Sequence, residues 1–265
     1  MNRVNGLNPL PILLYHTIDD DPPAWIAPWA VRRDTFLRQL DEIAASGRRV
    51  VPLEDAVAAL TGGPALPADA LVITFDDGFL DFFDIAYPAL ASRKMAATVY
   101  VTTGALGDGA GSLMPPAYMM SHKHLDELDA TVVEVGAHTR THPQLDVIPR
   151  LAAAAEIAAC KTELEDWIGR PVTAFAYPYG LSTPTVRALV RRAGYTSAAA
   201  VREGFSSSAD DLFAIARLTV RADTPPETFT AWLHGTDARI APFPPTLRAG
   251  ALLAARRTHA LLRRR

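Results

Sequence analysis

Short apolar runs alternate along this chain with longer stretches of helical period, and no other feature limits the fold as strongly. Residues 12–15, 49–51, 71–75, 97–101, 132–135, 174–177, 196–200 and 213–218 have the length and content of buried strands. Helical patterns lie between them at 34–46, 53–60, 79–92, 149–168, 183–193 and 227–234. Thr183 followed by Pro184 marks a helix start, and Gly47 and Gly194 sit just past helix ends. Strands joined through helices run parallel, so the expected class is α/β, with the sheet closed or nearly closed into a distorted (β/α) barrel. A chain of 265 residues suits one such unit.

No repeat or low-complexity linker divides the chain. Residues 104–116 are rich in Gly and Pro and read as a long loop on the active-site side. Residues 241–245 read as a break, giving a globular domain over 1–240 and a basic C-terminal tail over 241–265. The tail mixes Leu247, Leu252, Leu253, Leu261 and Leu262 with arginines, including Arg256, Arg257 and Arg263 to Arg265. Such a helix can make peripheral contact with an anionic membrane, or pack its leucines on the body and solvate its arginines.

The hydrophobic fraction of 49% and charged fraction of 21% are those of an ordinary globular protein. A net charge of −3 gives no general attraction to nucleic acid. Cys160 is the single cysteine, which rules out an intrachain disulfide, and its apolar neighbours place it inside a helix packed on the core. The first residues lack a signal-peptide pattern and no window is apolar enough to span a membrane, so the expected location is cytoplasmic. Oligomeric state leaves no mark on the sequence.

Chemistry concentrates at the ends of the expected strands. His16 follows the run at 12–15, Asp76 and Asp77 follow 71–75, His138 and His142 follow 132–135, and Pro178-Tyr179-Gly180 follows 174–177. In a parallel barrel these ends converge on one face. Asp-Asp-Gly by itself is often only a turn with a helix cap. Joined by two histidines spaced i, i+4, it supplies the parts of a divalent-metal site with an open position and a spare carboxylate, the recipe for activating water. His122 and His124, an H-x-H pair, read instead as solvated polar positions, and His259 reads as exposed.

These residues resemble a known family. TFDDG at 74–78, HTRTHP at 138–143 and FAYPYG at 175–180 occur in the order found in the polysaccharide deacetylases of carbohydrate esterase family 4. Their shared region is the NodB homology domain. The resemblance spans roughly residues 10–235, and the LLYH ending at His16 is most similar to the branch of circularly permuted poly-N-acetylglucosamine deacetylases. It implies Asp77, His138 and His142 as metal ligands, usually for zinc, with nickel, cobalt or iron tolerated. It implies Asp76 as general base, the Tyr179 backbone N–H as oxyanion donor and His16 as general acid. His234 is a rival acid, because many members take theirs from a Leu-x-His motif. Here the leucine is adjacent to the histidine.

The chain departs from the family at Ala176, where an arginine ordinarily pairs with the catalytic aspartate; Arg217 is the candidate replacement. Trp25, Trp29, Tyr177, Pro178 and Tyr179 are placed to contact a sugar, although the tryptophans could equally cap the core. The expected activity is hydrolysis of the N-acetyl group of an amino sugar in a glycan, a lipid-linked saccharide or a small precursor. The alternatives are a glycan-binding module of the same fold that has lost turnover, and a metal-dependent hydrolase of a non-sugar amide.

Overall fold

The computed structural model describes residues 9–244. The basic stretch from Pro245 onward, including His259, and the first eight residues lie outside the described residues. In chain order the first strands are β1 (Ile12–Tyr15), β2 (Thr17–Ile18), β3 (Ala30–Val31), β4 (Arg49–Val50), β5 (Ala70–Phe75) and β6 (Ala97–Val101). They are followed by β7 (Val133–Ala137), β8 (Ala174–Ala176), β9 (Ser197–Ala199), β10 (Gly204–Phe205), β11 (Leu218–Thr219) and β12 (Arg239–Ile240). The helices are α1 (Arg33–Ala45), α2 (Leu53–Leu60), α3 (Tyr87–Ser92), α4 (His122–Glu127), α5 (Arg150–Ile168), α6 (Pro184–Arg192) and α7 (Pro226–Leu233).

Eight strands form one parallel sheet in the order β11-β1-β5-β6-β7-β8-β9, with β4 also pairing β5. Each strand alternates its side chains. Leu13, Tyr15, Ile73, Phe75, Val99 and Val101 pack into the main core that also takes in Phe36, Leu40, Ile157 and Leu164 from the helices. Ile12, Val72, Tyr100, Ala174, Ala176 and Ala199 form a second cluster on the opposite face, the inside of the curled sheet. Each aliphatic side chain so buried contributes about 1.5–3 kcal/mol. A bridge between Ala199 and Ile215 spans the gap between β9 and β11. The result is the expected distorted, incomplete (β/α) barrel.

Register sets the site. Tyr15 is level with Phe75, and Ala137 is level with both Val101 and Phe175. The residues that follow these positions therefore emerge on one rim. Thr183 caps α6 by accepting a hydrogen bond from the Val186 N–H, and α5 ends at Gly169 in the left-handed conformation. Cys160 is buried in α5, as its neighbours suggest.

Two stretches differ from the sequence expectation. The strand expected over 213–218 reduces to Leu218–Thr219, because nearby acidic groups take the backbone donors before it. Asp211 Oδ1 accepts from Phe213 N–H, the Asp211 carbonyl from Ala214 N–H, and Asp210 Oδ2 from Ala216 N–H. The helix expected over 79–92 opens as a π-helical turn at Phe82–Ala86 before becoming α3, which carries Pro88 in its first turn. Proline has no N–H to donate, and a widened turn accommodates the loss.

Candidate active site

The rim is knitted by backbone bonds between consecutive strand ends. Asp76 N–H donates to the Tyr15 carbonyl, Thr102 N–H to the Asp77 carbonyl, and His138 N–H to the Val101 carbonyl. These bonds bring His16, Asp76, Asp77 and His138 to neighbouring positions on one rim. Asp77 and Gly78 both take positive φ, at 79° and 90°, a sharp turn in which glycine is unstrained. Thr139, His142 and Tyr179 also take positive φ. Four of the seven non-glycine residues with this conformation among the described residues thus lie in the site, and backbone held in such regions concentrates where function demands it.

The i, i+4 histidines are not on a helix. They belong to a loop after β7 in which Thr139 Oγ1 accepts from His142 N–H and Glu156 accepts from both Thr141 N–H and its hydroxyl. This loop brings His138 Nε2 and His142 Nε2 to 3.4 and 3.3 Å from Asp77 Oδ1. One donor atom from each of the three residues lies within 4.8 Å of the others. Asp77 Oδ1 is buried and has no hydrogen-bond partner. The second ring nitrogen of His138, Nδ1, lies 2.9 Å from the Ala176 carbonyl, which orients the ring and leaves Nε2 toward Asp77. Two imidazole nitrogens and a carboxylate oxygen, one of them orphaned, fit a divalent cation.

Asp76 is 3% exposed and lies against Arg217, which is fully buried. The guanidinium donates from one nitrogen to Asp76 Oδ1 at 2.7 Å and from the other to Oδ2 at 2.8 Å, while its Nε donates to the Ala200 carbonyl. Thr74 Oγ1 accepts a further bond from Arg217, and the ring of Tyr100 lies 5.5 Å from the guanidinium carbon. Ala174, Ala176 and Ala199 belong to the same apolar cluster as Tyr100 on the inside of the sheet. Ala176 thus supplies a carbonyl to His138 where the family pattern has an arginine side chain.

The electrostatics follow from burial and neighbours. Burial pushes the Asp76 carboxyl up, but the Arg217 charge reverses this and holds it below the usual range. Burial likewise raises Asp77, and the His138 and His142 imidazoles beside it bring it well below. For His16, burial lowers the pKa, and the opposing pull of Asp77 and Asp76 is insufficient. His138 ends raised, because Asp76 and Asp77 outweigh its burial.

The remaining expected residues divide. His16 has a buried Nδ1 without a hydrogen-bond partner, and its ring centroid is 6.4 Å from that of Trp29. Trp25 and Trp29 are half-buried against a small apolar cluster of Ile26, Phe79, Ala105 and Met119, and Trp25 Nε1 donates to the Pro116 carbonyl. The tryptophans therefore sit where the 104–116 loop meets the rim. Tyr179 is 54% exposed, with its ring 4.9 Å from that of His142, and Pro178 beside it is buried. Tyr177 must be corrected as a sugar-stacking residue: it is fully buried, its ring packs edge-on against Phe175, and its hydroxyl donates to the Phe213 carbonyl.

His234 lies away from this group. It is the C-terminal cap of α7, and the adjacent Gly235 approaches Pro9, which precedes β1 at the opposite end of the barrel. His124 is also corrected: it is half-buried, with Nδ1 accepting from Ser121 N–H at the start of α4 and its ring stacked on Phe83. Sequence reasoning did not mark Thr74 or Tyr100 as neighbours of Arg217, and neither carries a signal of its own for that place.

Comparison with known proteins agrees with this geometry. The family model described as Polysaccharide deacetylase matches residues 64–198, just over half of the chain. The matched stretch includes Asp76, Asp77, His138, His142 and Tyr179, but neither His16 nor Arg217. The deacetylase PplD of Streptococcus pyogenes, solved in complex with acetate, superposes with a TM-score of 0.75 at 26% identity, over 86% of this chain and 98% of its own. IcaB of Ammonifex degensii superposes with a TM-score of 0.73 at 26% identity, over 85% and 97% of the two chains. YxkH of Bacillus subtilis (strain 168) is 22% identical over 225 residues, covering 85% of this chain and 76% of that protein.

Proposed function

The chain belongs to the polysaccharide deacetylase family, and on that premise we propose that it is a metal-dependent hydrolase that removes the N-acetyl group from an amino sugar. The observation that carries this reading is Asp77 Oδ1, buried without a hydrogen bond beside two imidazole nitrogens. A carboxylate oxygen so deprived of water is costly unless a cation takes it. Asp77, His138 and His142 would hold the ion. When bound, a divalent ion there, zinc by its donor set with nickel, cobalt or iron as substitutes, supplies Lewis-acid polarisation of the acetyl carbonyl and acidifies water.

This chain's own residues do the rest. Asp76 accepts a proton from the attacking water. Its bidentate pairing with Arg217 keeps it ionised and fixes its plane, while each oxygen retains a second lone pair for that proton. His16 gives a proton to the departing amine nitrogen as the C–N bond breaks. Burial lowers the His16 pKa more than Asp77 and Asp76 raise it, so the ring, once protonated, gives up its proton readily. The Tyr179 backbone N–H is assigned to the developing oxyanion. Trp25 and Trp29 shield one side of the sugar ring.

PplD is a deacetylase solved with acetate, the product this reaction releases. The substrate is an N-acetylated amino sugar, whether in a glycan, a lipid-linked saccharide or a small precursor. The test is incubation of the metal-loaded protein with chitooligomers, lipid-linked glycans and small acetylated sugars. Acetate release should accompany a mass loss equal to one acetyl group replaced by hydrogen. Bound metal without acetate release from any glycan would favour a binding module, and release from simple amides alone would favour a non-sugar substrate.

A further inference from the structure

A single carboxylate joins the His16 segment to the segment that carries the two site aspartates. Asp81 Oδ2 accepts from the Thr17 hydroxyl at 2.6 Å, and Asp81 Oδ1 accepts from Ile18 N–H at 2.7 Å. Thr17 and Ile18 follow His16 directly, and both are buried. Asp81 itself stands four residues beyond Asp77, as the N-cap of the π-helical turn Phe82–Ala86. His16 lacks a hydrogen bond at Nδ1, so its ring has no polar anchor at that atom. Thr17 and Ile18 also pair with Ala30 and Val31, at the far end of the loop that presents Trp29 to the His16 ring.

We propose that Asp81 is a positioning residue for the general acid: by clasping Thr17 and Ile18 it sets where the His16 imidazole stands relative to Asp76 and Asp77. The inference rests on the reading of His16 as the acid. One oxygen holds a side chain and the other a backbone N–H, so the clasp constrains both the translation and the twist of the strand that follows His16. The His16 proton must meet the leaving atom as the bond breaks, and a displacement of a fraction of an ångström is felt in that step alone. Attack of water, which depends on Asp76 and the ion, is untouched.

Dependence on the leaving group distinguishes this role from scaffolding, because a good leaving group needs no proton. The experiment compares the metal-loaded wild type with His16→Ala, Asp81→Asn, Thr17→Val and Thr17→Ser on acetate esters running from 4-nitrophenyl through phenyl to alkyl. Metal content and melting temperature are measured alongside. Asp81→Asn and Thr17→Val are expected to slow the poorest leaving group about 10- to 100-fold, with 4-nitrophenyl acetate changed by no more than about threefold. Thr17→Ser, which keeps the hydroxyl, is expected to restore the wild-type slope.

The outcomes separate. If His16→Ala does not steepen the leaving-group dependence, the acid assignment fails and the inference falls with it. If His16→Ala steepens it while Asp81→Asn and Thr17→Val lower all esters equally, or none, the acid assignment stands and the positioning role is wrong. Thr17→Val removes one bond of the clasp and so answers the question even if Asp81→Asn does not fold.

Discussion

Arg217 closes its two terminal guanidinium nitrogens on the two carboxylate oxygens of Asp76, at 2.7 and 2.8 Å, across a sequence separation of 141 residues. Both groups are out of water, so each makes the other tolerable. Arg217→Met should therefore destabilise the fold by about 3–5 kcal/mol, since it leaves a buried carboxylate without its partner. Asp76→Asn combined with Arg217→Met should recover much of that loss without restoring activity. Urea denaturation of the two single variants and the double variant measures the coupling; additive losses would mean that the pair is not a unit.

Ligand substitutions should separate metal binding from turnover. Asp77→Ala or His142→Ala is expected to lose metal and activity together. Asp76→Asn should keep the metal and lose about 100- to 10,000-fold in kcat. Elemental analysis beside acetate release reads both quantities, and a fully active Asp76→Asn would remove Asp76 from the base role.

Glu134, on β7, offers a pH test. Burial pushes its carboxyl up to about 7, and the bond from Thr98 Oγ1 at 2.8 Å only partly offsets that. In the unfolded chain the same group titrates near 4.5. A carboxyl raised on folding contributes its stability fully below the unfolded value and loses it as pH rises through the folded one. Glu134→Gln should therefore stabilise the protein by about 2–3 kcal/mol at pH 8 and by little at pH 5. Equal denaturation midpoints for the two proteins at pH 8 would refute this.

The aromatic residues should divide by burial. Trp29→Ala is expected to raise KM for an oligosaccharide about tenfold with kcat retained, the mark of a contact made equally in ground and transition states. Tyr177→Phe should leave KM unchanged and cost about 1 kcal/mol of stability, because its hydroxyl bonds the Phe213 carbonyl inside the fold. A KM effect at Tyr177 would return it to the binding surface.

Much of the architecture was legible because it is local. Four-residue and five-residue apolar runs such as Ile12–Tyr15 and Ala97–Val101 carry their own periodicity, and the residues just past them must emerge together once the strands lie parallel. The grouping of Asp76 and Asp77 with His138 and His142 could be anticipated on that ground, whereas the choice of Asp77 as the ligand came from the family resemblance. Two-residue strands such as Thr17–Ile18 and Leu218–Thr219 could not, since two residues define no period.

Sequence by itself thus determined the parallel α/β plan, the donor set at the rim and the absence of an arginine at position 176. Tertiary structure alone decided that Arg217 pairs with Asp76, that the Ala176 carbonyl orients His138, that Tyr177 faces inward and that His234 stands at the other end of the barrel. The division has a physical cause. Periodicity reports which side of its own element a residue occupies, whereas each of these contacts depends on strand order and on which groups that order brings together across the curled sheet.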